Sequence, residues 1–363
     1  MNFRIELRPT PKPLSDADRA KLMEDLGFGR IFSEHMLSVR YTNGGWATGE
    51  LVPFAPITLS PAASVLHYGQ AIFEGFKAYR QPDGGIATFR PDANGRRFNA
   101  SARRLAMPEL PVELFVEAAD ALIKQDNVWV PSRPGESMYL RPLMIATEAA
   151  LGVRPAREYL FLVMGSPSGS YFAKGIKPVT VWLCDDFVRA APGGTGAAKF
   201  AGNYAASLLA QQQAADKGCD QVVWLDACSR SIVEEMGGMN LFFVYRDGDE
   251  TTLVTPELTG TLLAGVTRDS LLSLGKSLGY ATDERRITVE EWRSGVSSGR
   301  ITEVFACGTA AVITPVGAVK SQQGELPISD GQMGPVAGRL REALLDIQYG
   351  RAPDPHGWMH KVC

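Results

Sequence analysis

The chain has 363 residues, more than one hydrophobic core usually serves, so its length points to two domains of about 150 to 200 residues. A hydrophobic fraction of 45%, a charged fraction of 21% and a formal net charge of -3 exclude disordered and fibrous classes. Lys and Arg are scattered, so a nucleic acid would find no basic footprint.

The N-terminal MNFRIELRPTPKPLSDADR places charges and prolines where a secretory signal would have an apolar core, and no stretch is long enough to span a bilayer. A cytoplasmic location is expected. The first thirty-odd residues read as a Pro-rich extension, and the domain is expected to begin at FGRIFSEHMLSVRY, whose near-alternating apolar positions predict a strand. GGIATFR predicts another strand, and helices are predicted around residues 96 to 105 and 112 to 125, the latter apolar at Leu114, Ala118, Leu122 and Ile123. SPSGSYFAKGIKP has the Ser, Gly, Pro and Lys content of a connector, placing an interdomain linker at residues 169–177. Beyond it, VTVWLC, DQVVWLDA, NLFFVY and TTLVTP predict a β-rich second domain, the last two strands joined through the Asp-Gly of RDGDE. Val266 to Leu278 predicts a helix with Thr267 near its N-cap and an amino end able to hold an anion. The C-terminal GRAPDPHGWMHKVC has too little periodicity to assign.

Five cysteines (Cys184, Cys219, Cys228, Cys307, Cys363) are odd in number and form no CxxC, which argues for reduced thiols. His356, His360 and Cys363 lack a fourth partner and make a poor metal site, so no metal is expected.

PGGTGAAKFAGNYAASLLAQQQAADKG places Lys199 among small residues, directly before a helical run. A lysine attacks a carbonyl only as the free amine, and small neighbours leave room for a cofactor. For an arbitrary lysine, solvent exposure beside a flexible loop is the commoner state. A nucleotide-binding P-loop is the first rival, but it needs Gly-Lys-Ser/Thr, whereas Lys199 lies between Ala198 and Phe200. A pyridoxal phosphate enzyme would need, besides the lysine, donors for the phosphate, an acid for the ring nitrogen, a phenol for O3′ and a substrate-carboxylate site.

FGRIFSEHM, LHYGQAIFEGFKAYR, FRPDANGRRF, YLRPLMIATEAALGV, VRAAPGGTGAAKFAGNYAAS, EEMGGMNLFFV, GVTRDSLL and EVFACGTAAVITPV occur in the order found in the branched-chain amino acid aminotransferases, and the chain resembles that family through most of its length. These are fold type IV pyridoxal enzymes of the class IV aminotransferases. The resemblance implies an α+β or α/β fold with an α/β N-terminal domain (residues 1–168) and a pseudo-barrel C-terminal domain (residues 178–363), pyridoxal 5′-phosphate lying between them. It implies reversible, ping-pong amino transfer between leucine, isoleucine or valine and 2-oxoglutarate, by a homodimer or higher assembly in which a neighbouring subunit's loop completes the substrate pocket.

Within that resemblance Lys199 carries the cofactor as a Schiff base and shuttles the proton between substrate Cα and cofactor C4′. Glu235 matches the acid of the E-x-G-x-M-N segment, with Gly237, Met239 and Asn240, and should pair with the ring nitrogen. Glu234 is its competitor on residue type alone. Tyr204 matches the O3′ phenol. Arg90, Arg189 and the amides of Val266 and Thr267 match phosphate contacts. Thr309 matches a phosphate and substrate contact, with Thr309 and Ala310 amides near the substrate carboxylate. Phe32, Tyr68, Phe73, Tyr139 and Tyr171 are expected to form the apolar substrate pocket, with Arg141 at its polar edge; read singly, each aromatic would as readily pack a core. Where some relatives carry a CxxC pair this chain has Ala311 and Thr314, which excludes a thiol switch there, and Cys307 reads as a small buried residue. D-amino acid aminotransferases and aminodeoxychorismate lyases share the lysine, the glutamate and the phosphate arginine but lack FGRIFSEHM and YLRP. A non-enzymatic relative would not need an intact Lys199 and Glu235.

Overall fold

A computed structural model of the chain describes residues 4–169 and 176–363. Strands β1 (Ile5–Leu7), β2 (His35–Thr42), β3 (Gly45–Trp46), β4 (Gly49–Pro53), β5 (Ala71–Phe73), β6 (Phe76–Arg80), β7 (Ile86–Phe89), β8 (Ser137–Ala146) and β9 (Tyr159–Ser168) alternate with helices α1 (Asp16–Leu22), α2 (Ser64–Tyr68), α3 (Pro91–Arg104) and α4 (Val112–Gln125). There follow β10 (Val179–Cys184), α5 (Ala201–Ala205), α6 (Leu208–Asp216), β11 (Gln221–Leu225), β12 (Val233–Met236), β13 (Met239–Asp247) and β14 (Glu250–Thr255). The chain ends with α7 (Val266–Ser277), β15 (Ala281–Glu284), α8 (Val289–Ser297), β16 (Ile301–Gly308), β17 (Val312–Ser321), β18 (Gly324–Pro327), α9 (Pro335–Gln348) and β19 (Met359–Lys361).

Two compact units result: Met1–Ala173 with Ala198–Gly202 and Asp346–Cys363, and Lys174–Ala197 with Asn203–Leu345. Two stretches that the sequence reading gives to the C-terminal domain therefore group with the first unit. One contains Lys199. The other is the tail, whose β19 pairs antiparallel with β7, Met359 opposite Phe89, because edge strand β7 offers unpaired backbone groups to it.

The first unit is built on a ten-stranded sheet of order β1-β4-β2-β9-β8-β6-β7-β19, with β3 on β2 and β5 on β8. The N-terminal extension is not outside the domain as its prolines suggested: Ile5–Leu7 pair in parallel with residues 49–51. Helix α4 buries Leu114, Phe115, Ala118, Ala119, Leu122 and Ile123, one stripe at helical spacing, in the cluster that holds Phe76, Phe98 and Phe161. Its C-cap Asp126 accepts from the His35 amide at 2.8 Å and lies 2.6 Å from His35 Nδ1, so the histidine of FGRIFSEHM is a buried tie between β2 and α4. The connector composition misleads over residues 166–168, which end β9 and are buried, the Ser166 hydroxyl donating to the Ile31 carbonyl.

The second unit carries a nine-stranded sheet of order β12-β11-β10-β17-β16-β13-β14-β15, with β18 on β17. A further pairing of β12 with β13 closes β12, β11, β10, β17, β16 and β13 into a ring, the barrel the sequence reading expects. Closure leaves these strands no free edge. Asp247 faces Glu250 across the predicted hairpin turn. Phe242 stacks on its cross-strand partner Phe305 at 5.3 Å, and Phe243 meets Trp292 of α8 edge-on at 5.3 Å. The helical run after Lys199 is broken into α5 and α6, and Leu208 and Leu209 are exposed.

Candidate active site

In the first unit, Lys199 has no regular secondary structure of its own, yet its backbone is tied on two sides. Its carbonyl accepts the Phe73 amide at 3.1 Å, its amide donates to the Ser101 hydroxyl of α3 at 2.9 Å, and Phe200 bridges to Ile72. This holds Lys199 Nζ 4.8 Å from the Phe73 ring centroid. Arg141 of β8 lies over the same ring at 4.8 Å and donates to the Tyr139 hydroxyl at 3.1 Å. Lys199, Phe73, Tyr139 and Arg141 are thus brought together. Arg141 Nε is buried without a hydrogen-bond partner among the described residues, a donor left for an anion. Tyr139 reaches its place because residue 75 is glycine: a Cβ there would fall 1.8 Å from the Tyr139 hydroxyl.

Phe32 stacks on Phe54 at 4.6 Å and the Tyr68 hydroxyl donates to the Leu151 carbonyl, and both rings are partly exposed. Arg90 caps α3 in the left-handed region, with φ of 49°, its guanidinium over the Trp358 ring at 5.5 Å. Tyr171 lies outside the described residues.

The sequence reading missed a carboxylate beside this lysine. Glu74 is fully buried, its Oε1 accepting from Arg97 Nε at 2.8 Å and its Oε2 from Arg97 Nη2 and from Asn94 Nδ2, each at 2.8 Å. Burial opposes its charge, but the charge and hydrogen bonds of Arg97, with Lys199 and Asn94 adding to them, hold its carboxyl below the ordinary range. One charged residue inside the apolar run AIFEGF was the available signal. Glu74→Ala removes the carboxylate paired with the Arg97 side chain, which is 11% exposed, and is expected to cost about 3–5 kcal/mol in urea unfolding at neutral pH. Because the folded-state carboxyl is depressed, Glu74's contribution is present above its unfolded pKa and is lost as pH falls through the folded one. The gap between wild type and variant should therefore narrow in acid.

In the second unit, Glu235 on β12 is buried, and its Oε1 accepts from the Leu263 amide at 2.6 Å and from Asn240 Nδ2 at 3.2 Å. Arg189 Nε lies 3.1 Å from its Oε2. The same guanidinium donates to the Thr261 carbonyl at 2.8 Å and the Gly196 carbonyl at 3.3 Å, so Arg189, read from sequence as a phosphate cation, is here the ion-pair partner of Glu235. Glu234 is the next residue on the strand and faces the other way, its Oε1 taking the Thr261 hydroxyl.

Helix α7 begins at Val266 with Gly265 as N-cap and no capping side chain; Thr267, expected near the cap, is the second helical residue and buried. A Cβ at Gly265 would sit 2.0 Å from Asn240 Oδ1, so only glycine lets this helix start approach the residue that donates to Glu235. Tyr204 of α5 packs against the β12–β13 turn, 3.3 Å from where a Gly238 Cβ would stand. Thr309 and Ala310 form the turn from β16 to β17, and Val312 after it is held at φ of 65°, a conformation costing a β-branched residue about 1–3 kcal/mol. Glu235, Arg189, Tyr204, Val266, Thr267 and Thr309 thus all belong to the second unit. Cys307, opposite Asn240 on β16, is buried, which pushes its thiol well up and leaves it unreactive.

Within the second unit, these groups fit the phosphate, ring nitrogen and ring oxygen of a phosphorylated pyridine: a helix start for the phosphate, an acid fixed by several donors for the ring nitrogen, and a phenol. No helix among the described residues is long and apolar enough to cross a membrane, and no cluster of metal-ligating side chains is found among them.

Residues 71–319 match the family Amino-transferase class IV. A probable branched-chain-amino-acid aminotransferase of Streptomyces coelicolor is 60% identical over 99% of this chain and 98% of its own length. A branched-chain-amino-acid aminotransferase of Mycolicibacterium smegmatis is 58% identical, with 96% of each chain covered. Among solved structures, a T.th. branched-chain amino acid aminotransferase with pyridoxamine 5′-phosphate superposes with a TM-score of 0.74 at 32% identity, covering 92% of this chain and 100% of that one. The chain belongs to the class IV amino-transferases, and within them to the fold type IV branched-chain-amino-acid aminotransferases.

Proposed function

We propose that the chain is a pyridoxal-phosphate-dependent transaminase that moves the amino group between L-leucine, L-isoleucine or L-valine and 2-oxoglutarate, giving the branched-chain 2-oxo acid and L-glutamate. The observation that carries the residue assignment is the anchored Lys199, its amine 4.8 Å from Phe73 and its backbone tied to β5 and α3. When bound, pyridoxal phosphate supplies the electron sink that makes the substrate Cα–H acidic.

Lys199 would hold the cofactor through its aldehyde, and its amine would carry the proton between the substrate Cα and that carbon. The backbone ties to Phe73 and Ser101 fix where that amine is presented. Glu235, oriented by Leu263, Asn240 and Arg189, keeps the ring nitrogen protonated. Tyr204 donates to the ring oxygen, and the α7 amides of Val266 and Thr267, with Arg90, hold the phosphate. Phe73, Tyr139, Phe32, Tyr68 and Tyr171 bind the aliphatic side chain, and Arg141, with its unpartnered Nε, takes the second carboxylate of glutamate. Thr309 and Ala310 hold the substrate's α-carboxylate.

The purified protein should show a visible cofactor band that L-leucine bleaches and 2-oxoglutarate restores. A band that answers only to a D-amino acid would overturn the substrate assignment.

We further infer a cytoplasmic homodimer. Leu66, Leu151 and Val153 of the first unit are 60%, 62% and 84% exposed, a loss of apolar burial that a second copy would recover. Sedimentation equilibrium should give about twice the chain mass of 39.3 kDa.

A further inference from the structure

Within the second unit, the β11–β12 hairpin loop and the segment after β14 enclose a cavity of 290 Å³ to which nothing in the transamination reading assigns a ligand. Its walls are mainly apolar, contributed by Pro192, Ile232, Pro256 and Leu262, and the exposed Cys228 lines it as well. Glu234 closes one side. That residue is 5% exposed, and while its Oε1 accepts the Thr261 hydroxyl, its Oε2 is buried with no hydrogen-bond partner among the described residues.

The other charged groups around the cavity are already engaged. The Asp226 carboxylate accepts from the amides of Cys228, Ser229, Ser231 and Ile232 and from the Ser229 hydroxyl, and so shapes the loop. Glu257 is paired with Arg286 at 2.8 Å. Glu234 therefore holds an acceptor oxygen with capacity left, in a place where an unmet one is costly. Burial raises its carboxyl, the Thr261 hydrogen bond works against this, and the negative charge of Asp226 raises it again; the charge of Arg189, committed to Glu235, offsets least, and the cation that lines the cavity, Arg286, is paired with Glu257, so Glu234 Oε2 is left without a cationic donor among the described residues.

We propose that this cavity binds a small organic monocation whose amidinium, guanidinium or ammonium head donates to Glu234 Oε2 while an apolar body covers Pro192, Pro256 and Leu262. The site lies on the opposite face of β12 from Glu235, so its ligand does not compete with substrate.

Benzamidine is the probe, because its amidinium is too weak a nucleophile to attack the cofactor. In holoenzyme carrying Cys363→Ser, Cys228 is the remaining exposed thiol, since Cys184, Cys219 and Cys307 are buried. Its rate of reaction with a disulfide reagent is followed as benzamidine is added. Saturable protection is expected, with neutral benzamide at least about tenfold weaker, benzoate giving none, and Glu234→Gln weakening benzamidine at least about tenfold. Protection by benzamide or benzoate as strong as by benzamidine, no protection by benzamidine, or unchanged affinity in Glu234→Gln would each overturn the proposal. The charge series on unaltered Glu234 decides the matter even if the variant misfolds.

Discussion

Lys199→Ala is expected to lower steady-state transamination by at least about 10⁴-fold, because one amine both holds the cofactor and moves the proton. The loss should be chemical rather than structural. The ties that fix this segment are backbone ones, the Phe73 amide to the Lys199 carbonyl and the Lys199 amide to Ser101, and alanine keeps them. The contacts it removes from the folded state include the cation over the Phe73 ring, worth about 0.5–2 kcal/mol, and one favourable charge near Glu74. The unfolding midpoint in urea should accordingly move little while turnover disappears. Activity above about a hundredth of wild type would remove Lys199 from the chemistry.

Glu235→Gln should lower kcat about 10²- to 10³-fold, and the reason separates it from its neighbour. A glutamine can still accept from the Leu263 amide, but its amide nitrogen would face Arg189 Nε, donor against donor, where the carboxylate stands 3.1 Å away. Arg189 is 6% exposed and would be left without its counter-ion, so a stability loss of about 3–5 kcal/mol accompanies the kinetic one. Glu234→Gln, with its side chain on the other face of β12, should retain kcat within about threefold of wild type, since it loses no contact to the reacting groups. If the two variants exchange these phenotypes, the ring-nitrogen acid is Glu234 and the match of EMGGMN to the family has been placed one residue out of register.

Much of the architecture was legible because it is local. The apolar stripe of α4 at Leu114, Ala118, Leu122 and Ile123 repeats at helical spacing, and the β13–β14 hairpin follows from runs of β-formers around Asp-Gly. Where a local rule failed, a long-range contact had prevailed. Residues 166–168 have the composition of a loop but complete β9, because β8 offers residues 137–139 as partners. The tail lacks periodicity since its three-residue strand depends wholly on β7. Thr267 has the residue type of a cap, but Gly265 is the residue that fits against Asn240.

The same division runs through the site. By itself the sequence determined the family, and it singled out Lys199, Glu235 and Tyr204 as candidates for the lysine, the ring-nitrogen acid and the phenol, because each lies in a contiguous motif whose residue types the chemistry restricts. Only the tertiary structure decided what surrounds them: Glu74 and Arg97 beside Lys199, Arg189 turned to Glu235, Tyr139 admitted by Gly75, and Glu234 facing a cavity. Those relations join residues well separated in the chain, 23 positions for Glu74 with Arg97 and 72 for Arg189 with Thr261. Burial and hydrogen-bond satisfaction act on neighbours in space, and a one-dimensional pattern carries no record of which neighbours those are.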